Sequence, residues 1–219
     1  MRSLVRLTLA LIFVLAVCIA LVPTFRTEVL QTAGETVAAA DTALKPHDER
    51  AMAADLLVAD FESGAAGILA ISDLAHAQPS ATVALLLPVS TKVEDEMARR
   101  GVKIPDISTD VLLQLGVPRT AIIKIPAGEG GTTESTAALA DWARANPQKR
   151  VLVVVGASHG RRYRRALLRV WPKSAPAPTV ATSPYGLFRV EDWWKSRTTL
   201  REGLFEFQKL VLDYATHPW

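Results

Sequence analysis

A chain of 219 residues suits one ordinary domain with a short extra segment and leaves no comfortable room for a second domain. Its 49% apolar and 21% charged residues exclude wholesale disorder, and a formal charge of +3 is too small for a general polyanion binder. The basic excess comes from Arg161, Arg162, Arg164, Arg165 and Arg169 with only Tyr163 interleaved, so nucleic acid is not an expected partner.

In chain order, the first element is an apolar run. Leu7 to Phe25 carries no charge and is long enough to span a hydrocarbon core of about 30 Å as a helix. Arg2 and Arg6 precede it, which orients the start of the chain toward the cytoplasm and the remainder outside it, although Arg26 weakens that bias. The expectation is a single-pass protein of the inner (plasma) membrane with its C-terminal domain periplasmic. A cleaved signal peptide shares the basic start and apolar middle, but no convincing small-x-small cleavage site follows before Phe25, which favours retention. Cys18 lies inside this run and is the single cysteine, so neither an intrachain disulfide nor a cysteine metal site is expected. The four histidines, His47, His76, His159 and His217, show no zinc-helix spacing, and no metal is expected from them.

Residues 27 to 52 read as a juxtamembrane linker with some helix, and residues 53 to 219 as one α/β domain. Short apolar runs at Leu56 to Ala59, Val83 to Leu87, Ala121 to Ile125, Val151 to Val155 and Thr179 to Ala181 alternate with segments of helical length. This alternation predicts a Rossmann-like, doubly wound α/β fold with a mostly parallel five-stranded sheet. Helices are predicted over Ala65 to Ala77, Val93 to Arg100 with Ser108 to Leu115, Glu134 to Ala145, Arg161 to Val170 and Arg197 to Tyr214. In the last of these, Leu200, Leu204, Phe207, Val211 and Tyr214 recur at steps of three or four, which predicts a buried stripe. The stretch from Pro172 to Pro184 is expected as a loop feeding the last strand and helix.

Ligands in such folds collect at the carboxyl ends of the strands. After the first strand stand Asp60, Glu62, Ser63 and Gly64, where carboxylates repel phosphate but suit a general base or a cation site. Gly128 to Thr136 is a Gly-rich turn entering a helix, whose amides with Thr132 and Thr133 suit an anion; an N-cap with Glu134 as first-turn acid explains the same residues. After Val155 come Ser158, His159, Arg161 and Arg162. Guanidiniums recognise phosphate or carboxylate, imidazole moves protons near neutral pH, and cations at a helix start make sense if an anion sits between them. Pro88 to Lys92 is the fourth strand-end loop.

Three stretches resemble the YdcF/SanA/ElyC-like family of bacterial proteins. Leu115-Gly116-Val117-Pro118, leading through Ile122 and Ile123 to Thr132-x-Glu134, is similar to its GVP and T-x-E-N region. Val151 to Val155 followed by His159-x-x-Arg162 is similar to its H-x-x-R strand and loop. Trp193 to Tyr214, with Glu206 and Lys209, resembles its terminal helix with an E-x-x-K element. The resemblance covers about residues 54 to 215. It implies a Rossmann-like fold, a place in envelope, peptidoglycan or lipid-carrier metabolism and, in one member, S-adenosylmethionine binding. The chain departs from the pattern at Ser135 for Asn, at Gly156 for Ser or Thr, and at Asp60 to Gly64 in place of a Gly-rich segment.

The leading expectation is a membrane-anchored envelope protein whose strand-end pocket binds a phosphorylated or other anionic small molecule, including a lipid-linked phosphate. Arg162 would hold the anion, Thr132 would complete the cradle, and His159 with Glu134 would transfer protons. The alternative is a non-catalytic scaffold for envelope or export machinery, with Trp193 and Trp194 either forming a contact patch or buried. S-adenosylmethionine binding ranks third, because the glycines usual after the first strand are absent. The cofactor is left open.

Overall fold

The predicted runs form strands because nearly every residue in them is apolar and both faces of each are covered by helices, the condition a parallel sheet requires. The structure, a computed structural model, describes residues 23–44, 53–88, 90–128 and 131–218. Its strands are β1 (Thr42–Ala43), β2 (Leu56–Ala59), β3 (Thr82–Leu87), β4 (Ile122–Pro126), β5 (Val151–Val155) and β6 (Thr179–Thr182). Its helices are α1 (Pro23–Ala38), α2 (Gly64–Ala77), α3 (Lys92–Arg99), α4 (Ile107–Gln114), α5 (Thr132–Ala145), α6 (Gly160–Val170) and α7 (Arg197–Thr216). The sheet order is β1-β6-β5-β2-β3-β4, and every neighbouring pair is parallel. Five strands lie where the sequence places them; the sixth, β1, is a two-residue edge strand paired with β6.

Side chains alternate across the pleat and so build two cores. Leu57, Ala59, Val83, Leu85, Leu152 and Val154 face Ile71 and Leu74 of α2 and Leu112 of α4. Leu56, Val58, Ala84, Leu86, Val151, Val153 and Val155 face Leu139 of α5 and Tyr163 and Leu167 of α6. A Rossmann-like fold with helices on both faces is the result.

Two expectations change. The segment read as a linker supplies α1 and β1, and Val37 of α1 is buried with Phe188, Trp193 and Leu210. In α7, Leu200 is partly buried, but Leu204, Phe207, Val211 and Tyr214 are exposed; the buried face carries Thr199, Gly203, Glu206 and Leu210. Packing chooses that face for two reasons. A Cβ at position 203 would come within 2.5 Å of Trp193, so only glycine lets the indole lie against the helix. On the same side, Glu206 and Asp213 meet arginines of α6. Trp193 donates to the Leu30 carbonyl at 2.8 Å, so it is a buried anchor rather than a contact patch.

Among the described residues no helix is long and apolar enough to cross a membrane. The expected span over Leu7 to Phe25 lies outside them except for Pro23 to Phe25, which begin α1. Cys18 and His47 also lie outside, as do residues 89, 129 and 130 of the strand-end loops.

Candidate functional site

From β2 the chain steps through β3 to β4 in one direction. After α5 it returns to β5, beside β2, and steps through β6 in the other. The order therefore reverses between β2 and β5, and the crevice at their carboxyl ends is where this architecture places ligands. Ala59 pairs with Val154, and the amide of Asp60 donates to the Val154 carbonyl at 3.2 Å. The loops after the two strands consequently begin side by side.

After β2, Asp60 caps a short 3₁₀ turn over Phe61–Ser63. Its Oδ2 accepts from the Glu62 amide at 3.3 Å, and Ser63 Oγ donates back to the Asp60 carbonyl. Gly64 then starts α2 at φ 54°, a left-handed conformation that suits glycine. This turn directs Glu62 across the crevice while Asp60 stays 2% exposed, with Oδ1 making no hydrogen bond. Burial raises the Asp60 pKa to about 6, opposed by the nearby His159.

After β5, the turn Ala157–His159 buries His159 at the start of α6. Its Nε2 lies 2.9 Å from Glu62 Oε2, and its Nδ1 lies 3.1 Å from Glu206 Oε2. The first contact is close but not aligned as a hydrogen bond, so Nε2 has no well-formed partner. Burial pulls the imidazole pKa down, yet contact with Glu206 and Glu62 outweighs it and the net shift is upward. The Glu62 pKa is lowered, first by its contact with His159. Burial alone would raise that of Glu206, but hydrogen bonds from His159 and Arg162 bring it well below the usual carboxylate range. The Tyr163 ring meets the imidazole edge-on at 5.5 Å, and its buried hydroxyl makes no hydrogen bond.

Arg162 knits three elements together. Its Nε donates to Glu206 Oε2 at 2.9 Å and Nη2 to Oε1 at 3.3 Å, while Nη1 donates to Thr132 Oγ1 at 2.8 Å at the start of α5. Nη2 also lies 2.9 Å from His159 Nδ1, and Lys209 donates to Glu206 Oε1 at 2.6 Å. The anion between the cations at the α6 start is thus a protein carboxylate, Glu206, presented by α7.

The structure brings Asp60, Glu62, Thr132, His159 and Arg162 together. Ser63 is buried beneath them and shapes the turn. Ser158 is buried and donates to Glu202, tying the β5 loop to α7. Thr133 is exposed in the first turn of α5. Glu134 folds over Gly128 and Gly131, and the carboxylates that touch His159 are Glu62 and Glu206 instead. Arg161 lines a separate cavity of about 460 Å³ with Asp41, Arg164, Arg165 and Tyr214. Glu206 and Lys209 were visible in sequence only as the E-x-x-K element; nothing in their spacing assigned them to this crevice.

Comparison with protein-family models, with curated proteins and with solved structures finds no match to this chain. The functional reading therefore rests on the motifs and the geometry of the crevice.

Proposed function

We propose that the chain is a membrane-anchored envelope protein whose switch-point crevice binds a phosphorylated small molecule or lipid-linked phosphate, with His159 as the proton-transferring group. The observation that carries this reading is the buried His159 between Glu62 and Glu206, with Arg162 bridging to Thr132 at the N-terminus of α5. That helix is capped by Gly131, which offers no side-chain acceptor, so its amides and the Thr132 hydroxyl suit an anion arriving from the crevice. Arg162 is largely committed to Glu206; its part is to aim Thr132 and His159 rather than to carry the anion alone. The glutamate in contact with His159 on its Nδ1 side is Glu206, not Glu134, the residue expected from sequence to share proton transfer with His159. The resemblance of the His159-x-x-Arg162 and Glu206-x-x-Lys209 stretches to the YdcF/SanA/ElyC-like family, and the apolar run from Leu7 to Phe25, support the envelope setting.

The test is thermal stabilisation of the full chain, in mild detergent, by nucleotides, sugar nucleotides and polyprenyl phosphates. A ligand at 100 times its Kd adds about 2.7 kcal/mol. Thr132→Val should weaken the effective ligand at least about tenfold, as expected when a hydrogen bond to a charged group worth about 1.5–3 kcal/mol is lost. Unchanged affinity in that variant removes the crevice from consideration. A scaffold reading is favoured by one observation, the exposed apolar side chains Leu204, Phe207 and Val211 on α7. It predicts that cells carrying His159→Ala keep full function.

A further inference from the structure

Glu62, Asp60 and His159 contribute one potential ligand atom each, and these atoms lie within 4.8 Å of one another. Among the described residues no other group of three brings metal-binding side chains so close. Carboxylates gathered at a loop are common without an ion, and proximity alone decides nothing. What distinguishes this group is the state of its two buried members. Asp60 is 2% exposed and leaves Oδ1 without any hydrogen bond, while His159 is 5% exposed and leaves Nε2 without an aligned one. Buried polar atoms are nearly always satisfied, so two orphans in one cluster call for a missing partner. A cation satisfies both at once, taking the lone pair of Asp60 Oδ1 and, in place of a ring proton, that of His159 Nε2.

The rest of the imidazole agrees. Glu206 Oε2 sits 3.1 Å from Nδ1 and Arg162 Nη2 lies 2.9 Å from the same nitrogen; an ion on Nε2 selects the tautomer with its proton on Nδ1, donated to Glu206. A carboxylate on the far ring nitrogen is the usual support of a metal-bound histidine, and here Arg162 and Lys209 hold that carboxylate in place. The Nε2 to Glu62 separation of 2.9 Å fits two ligands at about 2.0–2.1 Å from one ion in adjacent positions. Glu62 is exposed, which leaves the site open to solvent on that side.

We propose that Asp60, Glu62 and His159 form a site for one divalent transition-metal ion, Zn²⁺ or Mn²⁺, with Glu206 as a positioning residue and at least one coordination position left to solvent or substrate. Three protein ligands of mixed N and O type with an open position is the pattern of a catalytic rather than a structural site. For what the ion does, this inference rests on the crevice's binding of a phosphorylated ligand proposed above, with His159 holding the ion in place of transferring a proton: the ion turns an acidic crevice mouth into one that accepts a phosphoryl oxygen.

The experiment is calorimetric titration of Zn²⁺ and Mn²⁺ into the full chain, tag-free, stripped with chelator and kept in mild detergent. One ion per chain is expected. Asp60→Asn, which removes a buried charge and keeps the shape, should weaken binding at least about 100-fold while the chain stays folded. Glu206→Gln should weaken it about 10-fold through the supporting contact, and His76→Ala should leave it unchanged. No heat with either ion, or binding indifferent to Asp60→Asn, overturns the proposal. Phosphorylated ligands that stabilise the stripped chain equally with and without ion would leave the anion pocket standing and remove the ion's role in it. An ion that binds as expected while no phosphorylated compound ever shifts the melting temperature would sink the anion reading and sustain the metal site.

Discussion

Tyr163 shows how a single residue can be placed for shape rather than for bonding. Its ring is fully buried, packs edge-on against His159 and fills the layer between β5 and α5, yet its hydroxyl makes no hydrogen bond. Burial, with the nearby Asp60 charge, holds the phenol protonated far above its ordinary pKa of 10.0. An unmade hydrogen bond in the interior costs about 1–3 kcal/mol, whereas the ring contributes its apolar area in full. Tyr163→Phe should therefore be as stable as the parent or more stable by up to about 1 kcal/mol, read as a rise in melting temperature. A fall of more than 1 kcal/mol would mean that the hydroxyl is bonded in solution. No sequence signal marks this residue: it sits between Arg162 and Arg164, and only the path of α6 turns it inward while Arg161 goes elsewhere.

At the scale of the element, β2 and β5 were legible because a buried parallel strand leaves an unbroken apolar run, and Leu56 to Ala59 and Val151 to Val155 are such runs. The face of α7 was not legible, because periodicity reports that a helix is amphipathic and not which apolar atoms find a partner. Glycine and glutamate at positions 203 and 206 look like poor core residues, yet Trp193 needs the first and Arg162 the second. Likewise Asp60 and Glu62 could be read as candidate cation ligands, but their third member, His159, follows a different strand and is joined to them only by the pairing of β2 with β5. Gly203→Ala tests the packing directly. Alanine gains about 1 kcal/mol in helix propensity but drives a Cβ to 2.5 Å from Trp193 and 2.9 Å from Phe188. Overpacking of about 1–3 kcal/mol should win, lowering the melting temperature. Leu204→Ser, on the exposed face, should stay within about 0.5 kcal/mol of the parent.

For the whole molecule, the crevice exists only while α7 is held against α6, since Glu206 arrives on the one and Arg162 on the other. About two turns beyond Glu206, Asp213 receives Arg165 at 2.7 Å and Arg169 at 2.6 Å, with His217 3.8 Å away. Arg165 also stacks over the Tyr214 ring at 3.7 Å, so this second clamp fixes the far end of α7. Burial would raise the Asp213 pKa, but hydrogen bonds from Arg169 and Arg165 bring it below its ordinary 3.8. A carboxylate held down in the folded state is charged there at pH values where the unfolded chain already binds a proton. Its stabilisation is therefore complete above the unfolded value and disappears as the pH falls through the folded one. Asp213→Asn keeps the shape and loses the charge, and at pH 7 it should lower stability by about 1–2 kcal/mol, the range for hydrogen bonds to charged groups at a partly solvated site. In a domain of this size that is a fall of roughly 2–8 °C in melting temperature. Melting curves of parent and variant from pH 7 down to pH 3 should begin to draw together only as the pH falls below about 3.8, because the parent loses there what the variant never had. A gap that stayed constant with pH would mean that the clamp acts by packing alone and that α7 is held by Trp193 and Leu210 without help from charge.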